Sequence, residues 1–78
     1  MPQVTIYTTP SCVYCKMVKS FFQEHQVVYQ EKNVATDAVA RNEMIEQSGQ
    51  MGVPVIDVGG KIIIGFDQPR LKELLGIE

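Results

Sequence analysis

Two cysteines separated by two residues stand where a strand-like segment gives way to a helix-like one, and this junction constrains the fold more than any other feature. Residues 3–8 alternate apolar and polar side chains as a short strand does, and Pro10 and Ser11 close that segment. Apolar side chains then recur at helical spacing from Val13 onward. Cys12 and Cys15, the only cysteines of the chain, therefore belong to the first turn of the predicted helix.

The position of Cys12 predicts a reactive thiol. The first backbone N–H groups of a helix have no intrahelical partners, and the positive end of the helix dipole, about half an elementary charge, lies beside them. Both effects favour the thiolate over the thiol, so Cys12 is the predicted nucleophile. Cys15 follows about one turn later and can attack a mixed disulfide formed at Cys12. Cys15 is therefore the predicted resolving thiol.

Other uses of a Cys-x-x-Cys pair fit this sequence less well. A structural disulfide of so short a span closes almost no loop. A closed zinc site needs four ligands, and only His25 could join the two thiols. Binding of Cu(I) by the two thiolates, or of a [2Fe-2S] cluster bridging two chains, stays open as an alternative. The motif favours thiol–disulfide exchange, with no resident metal.

Composition narrows the function further. The 78 residues predict one domain spanning residues 1–78, and the net charge of -2 offers no basic surface to nucleic acid. The longest apolar runs, such as residues 62–64, are far too short to cross a membrane. No secretory signal is visible at the amino terminus, so we expect a cytoplasmic monomer without nucleic-acid or membrane partners.

A second strand is predicted over residues 27–31, and a second helix follows it. Thr36 or Asp37 can cap this helix through a side-chain oxygen, and Gly49 can end it, so that it runs to about residue 47. A right-handed crossover through the first helix makes the first two strands parallel.

Two further strands and a helix complete the pattern. Residues 54–58 and 61–65 are β-rich runs separated by two glycines, the signature of a two-residue antiparallel hairpin. Asp67 can cap a last helix whose apolar side chains share one face: Leu71, Leu74 and Leu75. The order β-α-β-α-β-β-α predicts an α/β fold with a four-stranded mixed sheet. The nearly continuous apolar character of the last two strands predicts helices on both faces of the sheet.

Three segments together resemble the glutaredoxins, a family within the thioredoxin-fold group. They are Thr9-Pro10-Ser11-Cys12-Val13-Tyr14-Cys15-Lys16, Gly52-Val53-Pro54 and Gly65-Phe66-Asp67. The resemblance covers essentially the whole chain and implies a thioredoxin-like (glutaredoxin) fold with the strand order 2-1-3-4. It also implies a cis peptide bond before Pro54, which would bring the Val53 backbone beside Cys12.

A glutaredoxin would be a thiol–disulfide oxidoreductase without a bound cofactor, with glutathione as electron donor and co-substrate. The resemblance implies these substrate- or glutathione-binding residues: Tyr14, Val53, Pro54, Gly65, Phe66 and Asp67. The N–H groups at the start of the last helix would help to hold a glutathione carboxylate. Disulfide-containing proteins are the other expected partners. The alternative within the same chemistry is a redoxin that thioredoxin reductase reduces, for example one serving ribonucleotide reductase.

Departures from the family pattern bear on the donor. Val13 follows the first cysteine where glutaredoxins commonly have proline, and this difference leaves the reduction potential of the cysteine pair open. Thr9 aligns with a lysine that many glutaredoxins use for a glutathione carboxylate, and Phe66 replaces the second glycine ahead of the last helix. Glutathione activity is therefore expected to be real but weak. Lys16 and Lys19 are expected to be solvated, with a minor long-range effect on the Cys12 thiolate.

Overall fold

The computed structural model describes residues 3–77, and these form four strands and three helices in the predicted order. The strands are β1 (Val4–Thr8), β2 (Gln30–Asn33), β3 (Val55–Val58) and β4 (Lys61–Ile64). The helices are α1 (Val13–Glu24), α2 (Ala38–Ser48) and α3 (Gln68–Leu75). The predicted α/β fold with the order β-α-β-α-β-β-α is confirmed.

One mixed sheet contains all four strands in the order β2-β1-β3-β4, as predicted. β1 and β2 run parallel because α1 carries the chain back between them, whereas β3 is antiparallel to both β1 and β4. The β3–β4 hairpin turns at Gly59 and Gly60, whose φ angles are 58° and 94°. Such positive values match a two-residue hairpin turn, and glycine adopts them without steric strain.

The sheet separates two clusters of buried side chains. The cluster on the side of α1 and α3 consists of Val4, Ile6, Val18, Phe21, Phe22, Val27, Ile56, Val58, Ile63 and Leu71. The cluster on the side of α2 consists of Tyr7, Val34, Ala40, Met44 and Val55. Successive side chains of a strand point to opposite faces, so β1 contributes to both clusters and is the central element of the core.

The second strand lies at residues 30–33, so the prediction of residues 27–31 was wrong. Val27 belongs to the end of α1 instead: its N–H donates to the Phe22 carbonyl at 2.8 Å, and the Gln26 N–H donates to the Gln23 carbonyl at 3.2 Å. This pair of bonds, with Gln26 at a φ of 57°, is the arrangement that commonly closes a helix. Val27 is buried because it packs where the helix stops, and not because it lies in a strand.

Side-chain caps define the other two helices. Asp37, the better of the two predicted candidates, accepts a hydrogen bond from the Ala40 N–H at 3.1 Å. Gly49 ends α2 with a φ of 75°, as predicted. Asp67 caps α3 by accepting from the Arg70 N–H at 3.2 Å. No helix within residues 3–77 is long and apolar enough to cross a membrane.

Helices cover both faces of the sheet, as predicted: Ile63 of β4 belongs to the cluster on the side of α1 and α3, and Ile62 packs against the cluster on the side of α2. Strand β4 is nevertheless only partly buried. It forms an edge of the sheet, and of its residues only Ile63 is fully buried. Ile64 is 52% exposed. The continuous apolar run of β4 therefore reflects β-propensity at a sheet edge more than two-sided burial.

Candidate active site

Most of the predicted site residues belong to loops at one end of the sheet. The loop that leads from β1 to Cys12 begins after Thr8, and the Val53-Pro54 step enters β3 just before Val55, which pairs with Tyr7 of β1. The chain leaves β4 at the same end, where the Gly65 N–H donates to the Pro54 carbonyl at 2.9 Å. The Val53–Pro54 peptide bond is cis, as the resemblance implied.

Cys12 is the N-cap of α1. Its backbone is extended, with φ at -84° and ψ at 113°, and its Sγ accepts a hydrogen bond from the Cys15 N–H at 3.1 Å. The side chain remains partly exposed. A sulfur atom in this position accepts a backbone hydrogen bond at the start of a helix and is open to an incoming disulfide.

Cys15 lies in the opposite environment. It is 1% exposed, and burial raises the pKa of its thiol to about 12, with the hydrogen bond to Cys12 acting in the same direction. A backbone hydrogen bond from Thr9 and the charge of Lys19 act against this rise. Cys15 is therefore a protonated thiol at neutral pH. Both cysteines are free thiols in the structure.

Tyr14 and Phe66 occupy different surroundings. Tyr14 follows Cys12 closely on the first turn of α1 and is 61% exposed, so its ring is available to an incoming molecule. Phe66 instead turns toward α1, where its ring meets the Phe21 ring edge-on at a centroid distance of 5.9 Å. It lines a groove of about 370 Å³ together with Val13 and Met17.

The start of α3 offers fewer backbone donors than the sequence suggested. Asp67 accepts from the Arg70 N–H, and Pro69 has no N–H to offer. Among residues 68–70, only the Gln68 N–H is left for an external carboxylate. The predicted carboxylate site at Asp67 is therefore reduced to about one helix-terminal donor.

An ion pair that the sequence did not predict lies near Cys15. Lys19 Nζ is 3.0 Å from Glu31 Oε2, and the buried Thr8 hydroxyl donates to the same oxygen at 2.7 Å. These two bonds, Thr8 first, lower the pKa of Glu31, and the bond to Glu31 raises the pKa of Lys19. The spacing of Cys15 and Lys19 on α1 could have indicated their proximity, but the partner on β2 required the correct strand register.

No group of three or more His, Cys, Asp or Glu side chains within residues 3–77 is arranged to hold a metal ion.

Comparison with known proteins gives consistent matches. The Glutaredoxin family model matches residues 4–63. An uncharacterized glutaredoxin-like 8.6 kDa protein in the rubredoxin operon of Clostridium pasteurianum is 39% identical over 72 residues, 92% of this chain and 96% of the relative. Glutaredoxin 3 of Escherichia coli K12 is 37% identical over 67 residues, 86% of this chain and 81% of the relative. The crystal structure of a mutant thioredoxin-like protein superposes with a TM-score of 0.93 at 33% identity, covering 100% of both chains.

The difference between the two thiols predicts selective alkylation. Iodoacetamide at neutral pH should modify Cys12 in the folded, reduced protein and leave Cys15 intact, because Cys15 is buried and its pKa of about 12 keeps it protonated. Modification of Cys15 should rise only as the pH approaches that value. In urea, where both thiols are exposed, the two rates should become similar. Peptide mapping by mass spectrometry measures both sites, and rapid labelling of Cys15 in the folded protein would contradict the assignment.

Proposed function

The chain belongs to the glutaredoxin family and is a thiol–disulfide oxidoreductase, and on this premise we propose that it reduces protein disulfides and glutathione mixed disulfides through Cys12 and Cys15. The single observation that carries the proposal is the contrast between the two sulfurs. Cys12 is partly exposed and accepts a backbone hydrogen bond at the helix start, whereas Cys15 is buried and protonated. This contrast supports Cys12 as nucleophile and Cys15 as resolving thiol.

The reaction has two exchange steps. The Cys12 thiolate attacks one sulfur of the substrate disulfide, a mixed disulfide forms, and the departing thiolate takes up a proton. Cys15 then loses its proton and attacks Cys12 Sγ, which releases the second substrate thiol and leaves a Cys12–Cys15 disulfide. Two electrons pass from the protein to the substrate. An external thiol donor restores the dithiol, so no bound cofactor is required.

The Val53-Pro54 step supports a docking site for the substrate. Strand pairing of β3 begins at Val55, so the Val53 backbone lies just outside the ladder and at the sheet end from which the cysteine loop leaves. An extended segment around the substrate's cysteine can pair with such a backbone as an added strand does. In this proposal Val53 and Pro54 hold the substrate segment while its sulfur faces Cys12, and the exposed Tyr14 ring contacts its flanking residues.

Glutathione is the electron donor we propose, with low affinity. Family membership and the remaining donor at the start of α3 support it, since a helix start attracts a carboxylate. Thr9 supplies no cation, Pro69 supplies no N–H, and Phe66 turns away toward Phe21. The tripeptide would therefore be held mainly by the Gln68 N–H, next to Asp67, and by the backbone of Val53.

Single cysteine variants test the assignment of the two thiols. Cys12→Ser should abolish exchange, whereas Cys15→Ser should form a stable mixed disulfide with a protein substrate because the resolving thiol is missing. Glutathionylated substrates should still turn over in Cys15→Ser, since free glutathione can attack the mixed disulfide at Cys12. Mass spectrometry of the trapped species locates the adduct. A stable adduct on Cys15 of the Cys12→Ser variant, with none on Cys12 of the other variant, would reverse the roles.

The missing cation at position 9 yields a test of the donor. An exposed contact between a charge and a carboxylate contributes about 0.2 to 1 kcal/mol, so Thr9→Lys should lower the apparent KM for glutathione by at most about fivefold at low salt. The gain should shrink as ionic strength rises. Thr9→Gln, which adds length without charge, serves as the control and should show little gain.

The coupled assay with glutathione and glutathione reductase measures this KM. A second assay measures how fast thioredoxin reductase reduces the same protein preparation. Efficient reduction by thioredoxin reductase, together with no turnover at any glutathione concentration, would contradict glutathione as donor. The chain would then act as a redoxin fed by that reductase.

A further inference from the structure

The ion pair between α1 and β2 lies on the face of α1 that carries the buried thiol. Lys19 is one helical turn after Cys15, so the two side chains share a face. Glu31 Oε2 accepts two hydrogen bonds, one from Lys19 Nζ at 3.0 Å and one from the Thr8 hydroxyl at 2.7 Å. The Thr8 residue is only 2% exposed, and the Lys19 and Glu31 side chains are 29% and 37% exposed. The two bonds to Glu31 therefore hold the charges of Lys19 and Glu31 in place at the edge of the buried core.

The resolving step needs a thiolate in a place that disfavours one. Burial and Cys12 raise the pKa of Cys15, whereas the backbone hydrogen bond from Thr9 and, to a smaller extent, the Lys19 ammonium lower it. Two titratable groups act on the Cys15 thiol directly: Cys12 at the start of α1 and Lys19 within it. Two others act on Lys19: Glu31 of β2, and Tyr29 just before β2. The adjacent end of β1 contributes neutral groups, the Thr8 hydroxyl and the Thr9 backbone.

We propose that the Lys19–Glu31 pair controls how fast Cys15 resolves the mixed disulfide, with Lys19 as a positioning residue for the forming thiolate and Glu31 as the anchor that restrains its charge. The inference rests on the proposed function, because it assigns roles within the second exchange step. In that step the Cys15 thiol gives its proton to solvent, and the Cys15–Cys12 bond forms as the bond from Cys12 to the substrate breaks. The substrate thiolate then takes up a proton.

The two members of the pair have opposite effects in this proposal. Lys19→Gln removes the positive charge that favours the thiolate and leaves Glu31 uncompensated, so resolution should slow. Glu31→Gln removes the negative partner and leaves the ammonium uncompensated, so resolution should accelerate. If the pair only held α1 against β2, both substitutions would loosen the same contact and shift the rate in the same direction.

The chain contains a matched control. Lys32 of β2 and Glu43 of α2 form a second ion pair at 3.3 Å, with side chains 27% and 39% exposed, nearly the same as in the first pair. Lys32 lies over the Tyr7 ring, whose side chain belongs to the cluster on the α2 side of the sheet. Lys32→Gln and Glu43→Gln should therefore leave resolution unchanged while removing a comparable surface contact.

Stopped-flow reaction of the reduced protein with dithiobis(nitrobenzoate) separates the two exchange steps. Attack by Cys12 releases the first coloured thiolate, and resolution by Cys15 releases the second. We expect Lys19→Gln to slow the second phase by about two- to fivefold and Glu31→Gln to accelerate it by a similar factor, as for charge contacts of this exposure. The first phase should change little, and Lys19→Arg should retain the wild-type second phase.

The pH profile of the second phase gives an independent measurement. It should move to higher pH in Lys19→Gln and to lower pH in Glu31→Gln, because the first change disfavours the thiolate and the second favours it. Second-phase rates that shift in the same direction, or that match those of the Lys32 and Glu43 variants, would overturn this inference and leave the proposed function standing. A first phase that persists in Cys12→Ser would instead overturn the proposed function.

Discussion

The hydrogen bond from the Cys15 N–H to Cys12 Sγ, 3.1 Å long, joins the folding of α1 to the chemistry of the thiols. A helix start needs a side-chain acceptor for its unpaired N–H groups, and here sulfur takes the place that serine or aspartate occupies elsewhere. The same bond positions the two cysteines one turn apart, with Cys12 facing solvent and Cys15 facing the core. The asymmetry of the pair thus follows from the geometry of the helix start.

The mixed sheet determines what surrounds that helix start. Because β1 and β2 are parallel and β3 runs against β1, the loops after β1 and β4 and the entry to β3 lie at one end of the sheet. Cys12, the Val53-Pro54 step and Gly65 are brought to that end from distant parts of the sequence, and the Gly65 N–H links two of these loops. Ile6 and Tyr7 of β1 are buried in the clusters on opposite faces of the sheet, so packing on both faces holds β1 in place.

The sequence predicted those structural features that depend on only one or two neighbouring residues. The caps at Asp37 and Asp67, the left-handed Gly49 and the glycine hairpin follow from one or two residues each. The second strand was misplaced because an apolar side chain that closes a helix looks the same in a pattern as one that begins a strand, and Val27 is the first kind. The Lys19–Glu31 contact was missed for a different reason, since it depends on the register of β2 against β1. Partners contributed by tertiary structure, including the Phe66–Phe21 contact, have no comparable local signal.

We propose that Cys12 and Cys15 act as one dithiol, in which Cys12 reacts with the substrate. The most direct test follows the reaction of the reduced protein with oxidised glutathione by mass spectrometry of the intact protein, with peptide mapping to locate each adduct. We expect a transient glutathione adduct on Cys12 that gives way to a chain lighter by two hydrogen atoms, the intramolecular disulfide. A lasting adduct on Cys15, or stable adducts on both cysteines, would contradict this assignment of the two thiols.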